Sequence, residues 1–268
     1  MLDRGKRNVL GVRVQCVDYE AAVDQIVACA HSGRRFTVTA LAVHGVMTGA
    51  LDPVHRHRLN ALDMVVPDGQ PVRWALNFLY RVGLADRVYG PSLTLHVCEA
   101  AALAGLPIFL FGGTESMLEQ LTHKLQDRFP NLCIAGREAS RFRRLDEAEC
   151  DQLVERIRRS GARITLVGIG CPRQEIWAYE MGDALQMPIL AVGAAFAFHA
   201  GQLSQAPPWM QRSGLEWLYR LICEPRRLWY RYGVLNPLYM AMLALQALGV
   251  RRYDPEQTTP PQERMLYG

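Results

Sequence analysis

In the second half of the chain, apolar residues fall in short unbroken blocks: "LPIFLFGG", "NLCIAG", "ARITLVGIG" and "MPILAVGAAF". Continuous apolar blocks of this length, several closed by glycine, predict strands buried on both faces. Between them, "TESMLEQLTHKLQDRF", the stretch from Asp146 to Ser160 and "RQEIWAYEMGDAL" carry helical periodicity. Thr114 is the expected N-cap of the first of these helices. Met117 at its third position leaves no capping box, while Glu115 places negative charge in the first turn, where the helix dipole favours it. The resulting β-α-β-α-β-α-β order predicts a parallel, Rossmann-like sheet in the second half. Such sheets bind ligands at the carboxyl ends of their strands.

The first half reads as mixed α/β. Val9 to Val17 is a strand or hairpin arm, followed by a helix from an Asp18 N-cap to about His31. Strands are expected at Arg35 to Val43 and Asp63 to Val66, with helices over 43–60 (broken near Pro53), 69–82 and 91–104. After Gly201 the pattern changes. Residues 202–252 hold three of the five tryptophans, Trp209, Trp217 and Trp229. They also carry Arg212, Arg220, Arg226, Arg227, Arg231, Arg251 and Arg252 against only Glu216 and Glu224. The chain therefore divides into an α/β core over 1–201, a helical aromatic and arginine-rich appendage over 202–252, and a Pro/Gln/Thr-rich tail over 253–268 whose composition predicts disorder.

Interleaved indoles and cations suit a membrane interface with anionic lipid; the same segment also reads as core helices with solvated arginines. Pro237 to Val250 is almost wholly apolar but only 14 residues long. As a helix it reaches about 21 Å, short of a hydrocarbon core of about 30 Å, so lying in the interface fits better than spanning. The N-terminus has no apolar block ahead of a small-residue cleavage site, and no signal peptide is expected. The net charge of +4 is too mild to argue for nucleic acid. The 30 basic residues include just two lysines, Lys6 and Lys124. Guanidinium offers a planar fork of donors suited to phosphate and carboxylate. The seven cysteines form no CxxC pair and the seven histidines no ligand spacing, so a reducing compartment and no metal or other cofactor are expected.

Three places carry candidate chemistry. In "MVVPDGQP", Asp68 ends an apolar strand between proline and glycine. It is either a turn residue bonding its own backbone or a general base held in a cleft. "LFGGTES", with Gly112 and Gly113, and "VGIGCPRQE", with Gly170, are strand-to-helix junctions where backbone can approach a ligand and a helix N-terminus favours phosphate. Tight turning alone also explains the glycines, and neither junction is a dinucleotide fingerprint or a P-loop. That counts against an oxidoreductase. Gln174 suits a hydrogen bond to a nucleotide or sugar, and Glu175 the helix dipole. Thr39 in "TVTAL" is a strand residue by default.

Read together and in order, "TVTALAVHGV", "VVPDGQPV", "RVYGPSL", "LFGG", "VGIGCPRQEIW", "VGAAFAFHAG" and "GLEWLYRLICEPRRLWYRY" resemble the WecG/TagA/CpsF glycosyltransferase family. The resemblance implies an inverting enzyme on the cytoplasmic membrane face that moves a sugar from a UDP-sugar to a sugar on undecaprenyl diphosphate. It implies Asp68 as catalytic base, Thr39 as a polar active-site residue and Arg87 near the diphosphate. It also implies Gln174 as the glutamine of its motif, and Arg220, Arg227 and Arg231 as cations closing over phosphates or lipid. The sequence departs from the family pattern at Leu41 (usually Asn), at Ala197 between two phenylalanines (commonly an acid) and at Gln205 (usually Arg). "VHGVMTGALDP" and "FHAG" lean towards exopolysaccharide members, with a hexose or N-acetylhexosamine donor. The departures also motivate a rival, a non-catalytic nucleotide-sugar-binding subunit of a polysaccharide assembly complex. A homo-oligomer is compatible with either.

Overall fold

The computed structural model describes residues 1–268. A two-stranded antiparallel hairpin, β1 (Asp3–Val9) and β2 (Val12–Val17), comes first. Leu10 and Gly11 make its turn, both at positive φ (54° and 90°), as two-residue hairpin turns require. Then follow α1 (Tyr19–Ser32), β3 (Phe36–Leu41), α2 (Val43–Leu51), α3 (Pro53–Ala61), β4 (Met64–Pro67), α4 (Gln70–Tyr80) and α5 (Gly90–Ala104). The second half contributes β5 (Ile108–Gly112), α6 (Glu115–Arg128), β6 (Ile134–Glu138), α7 (Glu147–Arg159), β7 (Ile164–Gly168), α8 (Arg173–Leu185), β8 (Pro188–Ala191) and α9 (Ala195–His199). The appendage comprises α10 (Pro208–Arg212), α11 (Glu216–Cys223), α12 (Pro225–Tyr230), a π-helical turn (Arg231–Leu235) and α13 (Asn236–Ala247). No helix is long and apolar enough to cross a membrane.

Local chemistry sets these boundaries. Asp18 accepts from Ala21 N at 2.9 Å and starts α1; Asp52 accepts from Val54 N at 2.8 Å, ending α2 and starting α3 at Pro53. Asp146 and Glu149 form a reciprocal capping box on α7. Thr114 caps α6 through Met117 N at 3.2 Å. "MPILAVGAAF" is not one long strand: β8 stops at Ala191, and Gly193, at φ 55°, turns the chain into the short helix α9.

The main sheet is wholly parallel, with six strands in the order β4-β3-β8-β7-β5-β6. It is wider than the second-half pattern implied, because β3 and β4 join it at β8. Strand residues alternate between two cores. Leu41, Val65, Phe111, Val167 and Ile189 face one cluster, with residues of α2, α3, α4, α7, α8 and α13. Val38, Val66, Leu110, Leu166 and Leu190 face the other, with α1, α5, α6 and α9. In the first cluster the Trp177 indole stacks on Phe111, with ring centroids 4.8 Å apart. Chain direction reverses between neighbouring β5 and β7, since β5 leads outward to β6 and β7 leads the other way to β8. That is the topological switch point at which open parallel sheets hold ligands.

The 253–268 tail departs from the expectation of disorder. Tyr253 and Leu266 are buried, and the backbone is pinned along its length. Asn60 donates to Pro255 O at 3.0 Å, Thr259 N to Pro53 O at 3.2 Å and Gly268 N to Arg143 O at 3.1 Å. Composition counts the polar residues but misses the few apolar anchors and the backbone partners that offset the ordering entropy.

At the switch point Gly112 has φ 123°, and a Cβ there would lie 2.7 Å from the Gly168 backbone. Gly112→Ala combines a backbone clash with a disfavoured φ. Urea unfolding of this variant should show a loss of about 2 kcal/mol or more; a variant as stable as the parent would mean the strands can separate there freely.

Candidate active site

The carboxyl ends of β3, β4, β5, β7 and β8 open into a cleft with two lobes. The larger is lined by Gly113, Phe142, Gly168, Gly170, Gln174, Ala195, Ala197, Phe198 and Arg227. The smaller is lined by Gln70, Arg87, Glu216, Trp217, Tyr232 and Asn236. Ala42, His44, Asp68, Arg220 and Arg231 border both. Asp68 therefore stands at the junction.

The turn after β4 fixes this carboxylate. Asp68 N donates to Leu41 O at 3.1 Å, and its Oδ1 accepts from Gly90 N at 2.5 Å, at the start of α5. Burial pushes the Asp68 carboxyl up to about 6, against the lowering influence of Arg87, the Gly90 N–H and Arg220. Its oxygens thus serve the site as well as the turn.

Arg87 reaches the smaller lobe from the loop before α5. Its guanidinium meets Glu216 of α11 at 2.6 Å, with both side chains largely buried, and lies 4.1 Å from the Tyr89 ring centroid. Tyr89 donates its hydroxyl to the other Glu216 oxygen at 3.1 Å. Burial opposes the Arg87 charge, but Glu216 and Asp68 outweigh it and hold its pKa above the ordinary value. Arg231, from the π-helical turn, is buried enough for its pKa to fall below the usual arginine value. Beside it the His44 imidazole is driven down to about 4, first by burial and then by Arg231. Arg220 sits over Phe198 at 5.6 Å from the ring centroid, and Arg227 pairs with Glu224 at 2.5 Å. No three His, Cys, Asp or Glu side chains lie together in an arrangement able to hold a metal.

Of the residues singled out in the sequence, Asp68, Arg87, Gly113, Gly170, Gln174, Arg220, Arg227 and Arg231 come together around the cleft. Thr39, Gly112 and Glu175 stand behind it. Thr39 is fully buried and donates to Glu175 Oε1 at 3.0 Å, and Gln174 Nε2 donates to the same oxygen at 3.0 Å. Burial pushes the Glu175 carboxyl up, which favours the neutral acid. Glu175 is therefore not a solvated first-turn charge on the helix dipole. It ties down the Gln174 amide nitrogen, leaving Gln174 Oε1 an unpartnered acceptor beside Gly193. Leu41 and Ala197, two of the departures from the family pattern, both line the larger lobe.

Sequence reading missed His44, Tyr89, Glu216, Tyr232 and Phe142. For Glu216 the signal was present, an isolated acid among arginines in "GLEWLYR". For Phe142 there was none.

The site is thus a cleft at the carboxyl ends of a parallel α/β sheet, with one carboxylate between two lobes and arginines along their border. The sequence matches the Glycosyl transferase WecG/TagA/CpsF family over residues 7–253, and the chain belongs to that family.

The raised Asp68 pKa carries a stability consequence. Between about pH 4 and pH 6 the folded state holds a proton that the unfolded state has lost, so stability falls as pH rises through this window. Asp68→Asn removes that penalty. Urea titrations should show the variant more stable than the parent by about 3 kcal/mol at pH 8, with little difference at pH 4. A variant less stable than the parent at pH 8 would mean the carboxylate is well solvated.

Proposed function

We propose that this protein is an inverting glycosyltransferase that moves a hexose or N-acetylhexosamine from a UDP-sugar to a sugar on undecaprenyl diphosphate, in exopolysaccharide or related surface-glycan synthesis. The observation that carries this reading is Asp68 at the junction of two lobes, with a pKa near 6. The donor occupies the larger lobe and the acceptor sugar the smaller. Asp68 takes the proton of the acceptor hydroxyl as its oxygen attacks the anomeric carbon, and the bond to UDP breaks on the opposite face. A single displacement inverts the configuration. Arg220, Arg227 and Arg231 meet the charge that develops on the departing diphosphate. A base with pKa about 6 is ionised at neutral pH yet basic enough to share a proton in the transition state. Leu41 and Ala197 alter the donor wall, which makes them determinants of which sugar fits.

The acceptor's lipid explains the appendage. Along α13 and the turn before it, Val234, Leu238, Ala241, Leu245 and Leu248 form an exposed apolar stripe at helical spacing. Arg226 and Arg227, both exposed, lie at one end and Arg251 and Arg252 at the other. Ile222 and Trp229 are 71% and 61% exposed. This surface fits the interface of an anionic bilayer, which supports the reading of a peripheral protein on the inner face of the cytoplasmic membrane.

UDP release with a panel of UDP-sugars and a short-chain polyprenyl-diphosphate-sugar acceptor tests the chemistry. Asp68→Asn should lower kcat at least 100-fold, on the order expected for loss of a general base. For the parent, kcat/KM should rise with pH to a plateau through an apparent pKa of about 6. Binding of UDP without turnover by any donor would instead favour the non-catalytic subunit reading. In a second test, Ile222→Ser with Trp229→Ala should reduce partitioning to anionic vesicles about tenfold while leaving the thermal midpoint unchanged. Undiminished partitioning would remove this face from the membrane contact.

A further inference from the structure

Phe142 has no role in the preceding chemistry, yet its placement is costly. It lies in the loop between β6 and α7 at φ 55°, 54% exposed, and forms part of the wall of the larger lobe. A positive φ at a bulky residue costs about 1–3 kcal/mol and persists only where surrounding contacts impose it. An exposed phenyl ring gains little burial in return.

The imposing contacts come largely from residues 265–268. Leu145 N donates to Leu266 O at 2.9 Å, Gly268 N to Arg143 O at 3.1 Å and Ser140 Oγ to Gly268 O at 2.7 Å. Arg144 and Tyr267 form an antiparallel bridge. Phe142 N in turn donates to Ser140 Oγ at 3.0 Å, and Ser140 N to Gly113 O at 3.0 Å, which ties the loop to the glycine end of β5. The strap thus grips the chain on both sides of Phe142. It lies wholly outside residues 7–253, the span matched to the family.

We propose that Phe142 is an aromatic platform for the nucleobase of the donor, and that the strap Met265–Gly268 is the positioning element that holds it there. This rests on the nucleotide-sugar reading of the cleft. Asp68 follows β4 and Phe142 follows β6, the opposite edges of the sheet. At about 4.8 Å per strand the two edges lie about 24 Å apart, so the two residues enter the cleft from opposite ends. Met117, Phe198 and Leu203 also line the lobe containing Phe142, which offers a flat uncharged group an apolar surface. With the reacting sugar at Asp68 and the diphosphate at the arginines, the base falls to the Phe142 end. Base–aromatic stacking tolerates any base and needs only a correctly tilted ring.

Calorimetric titration of the full-length protein with UDP and, separately, with inorganic pyrophosphate tests this. Phe142→Ala and deletion of residues 265–268 should each weaken UDP binding about tenfold and change pyrophosphate binding less than twofold. Phe142→Tyr should bind UDP like the parent. The deletion placed in the Phe142→Ala background should add nothing, because the strap acts through that ring. Leu266→Ser, a milder lesion of the strap, should reproduce the deletion's selectivity. Unchanged UDP affinity in Phe142→Ala, an additive deletion, or equal loss of pyrophosphate would overturn the proposal while leaving the cleft's nucleotide reading intact. A parent protein that binds pyrophosphate but gains nothing from the uridine would likewise overturn it. A parent that binds neither ligand overturns the nucleotide reading and this proposal together.

Discussion

The buried ion pair between Arg87 and Glu216 is the constraint on which the site depends. Two charges are taken largely out of water at 2.6 Å, and Tyr89 completes the set of partners from the core. Taking ions from water is costly, and removing one partner of such a pair strands the other. The pair therefore holds α11 where it is. Without it the smaller lobe loses a wall, and Arg220, one turn along α11, is no longer fixed beside Asp68. The pair also acts on Asp68, since Arg87 lowers its pKa and Glu216 raises it. Neither wins outright, and desolvation sets the balance.

Charge is layered around this pair. Asp68 stands at the junction of the lobes with Arg220 and Arg231, Glu216 lines the smaller lobe, and burial raises the pKa of Glu175 behind the cleft. The cations are not free of acids, since Arg227 pairs with Glu224, and Arg220 and Arg231 border both lobes together with Asp68. His44, held neutral by burial and by Arg231, adds no further positive charge.

Much of the fold was legible because local signals agreed with the long-range outcome. Asp18, Asp52, Thr114 and Asp146 cap the helices they introduce, and the apolar blocks of the second half are strands. The reading failed where partners distant in sequence decide. Gly193 breaks β8 to form α9, which an apolar run cannot reveal. The tail is ordered by Asn60, Pro53 and Arg143, none of them near it in sequence. Asp68 and the arginines were visible through their motifs. Thr39 and Glu175 were visible too, but only the structure shows that they face each other rather than a ligand. Phe142 is significant through its backbone and its neighbours, which leave no mark in composition or periodicity.

The exposed stripe of α13 has a geometric corollary. The same helix opens with Asn236, a residue of the smaller lobe, and plants Tyr239 against the core, where its hydroxyl donates to Pro71 O at 3.2 Å. Under the proposed function, a rigid element with lipid at one face and the acceptor lobe at its first residue would act as a gauge. The depth at which α13 settles would set how far above the lipid phosphates the acceptor sugar must stand to reach Asp68. Selection among lipid-linked saccharides would then be partly a matter of height, measured in sugar units from the bilayer, before any hydroxyl is read.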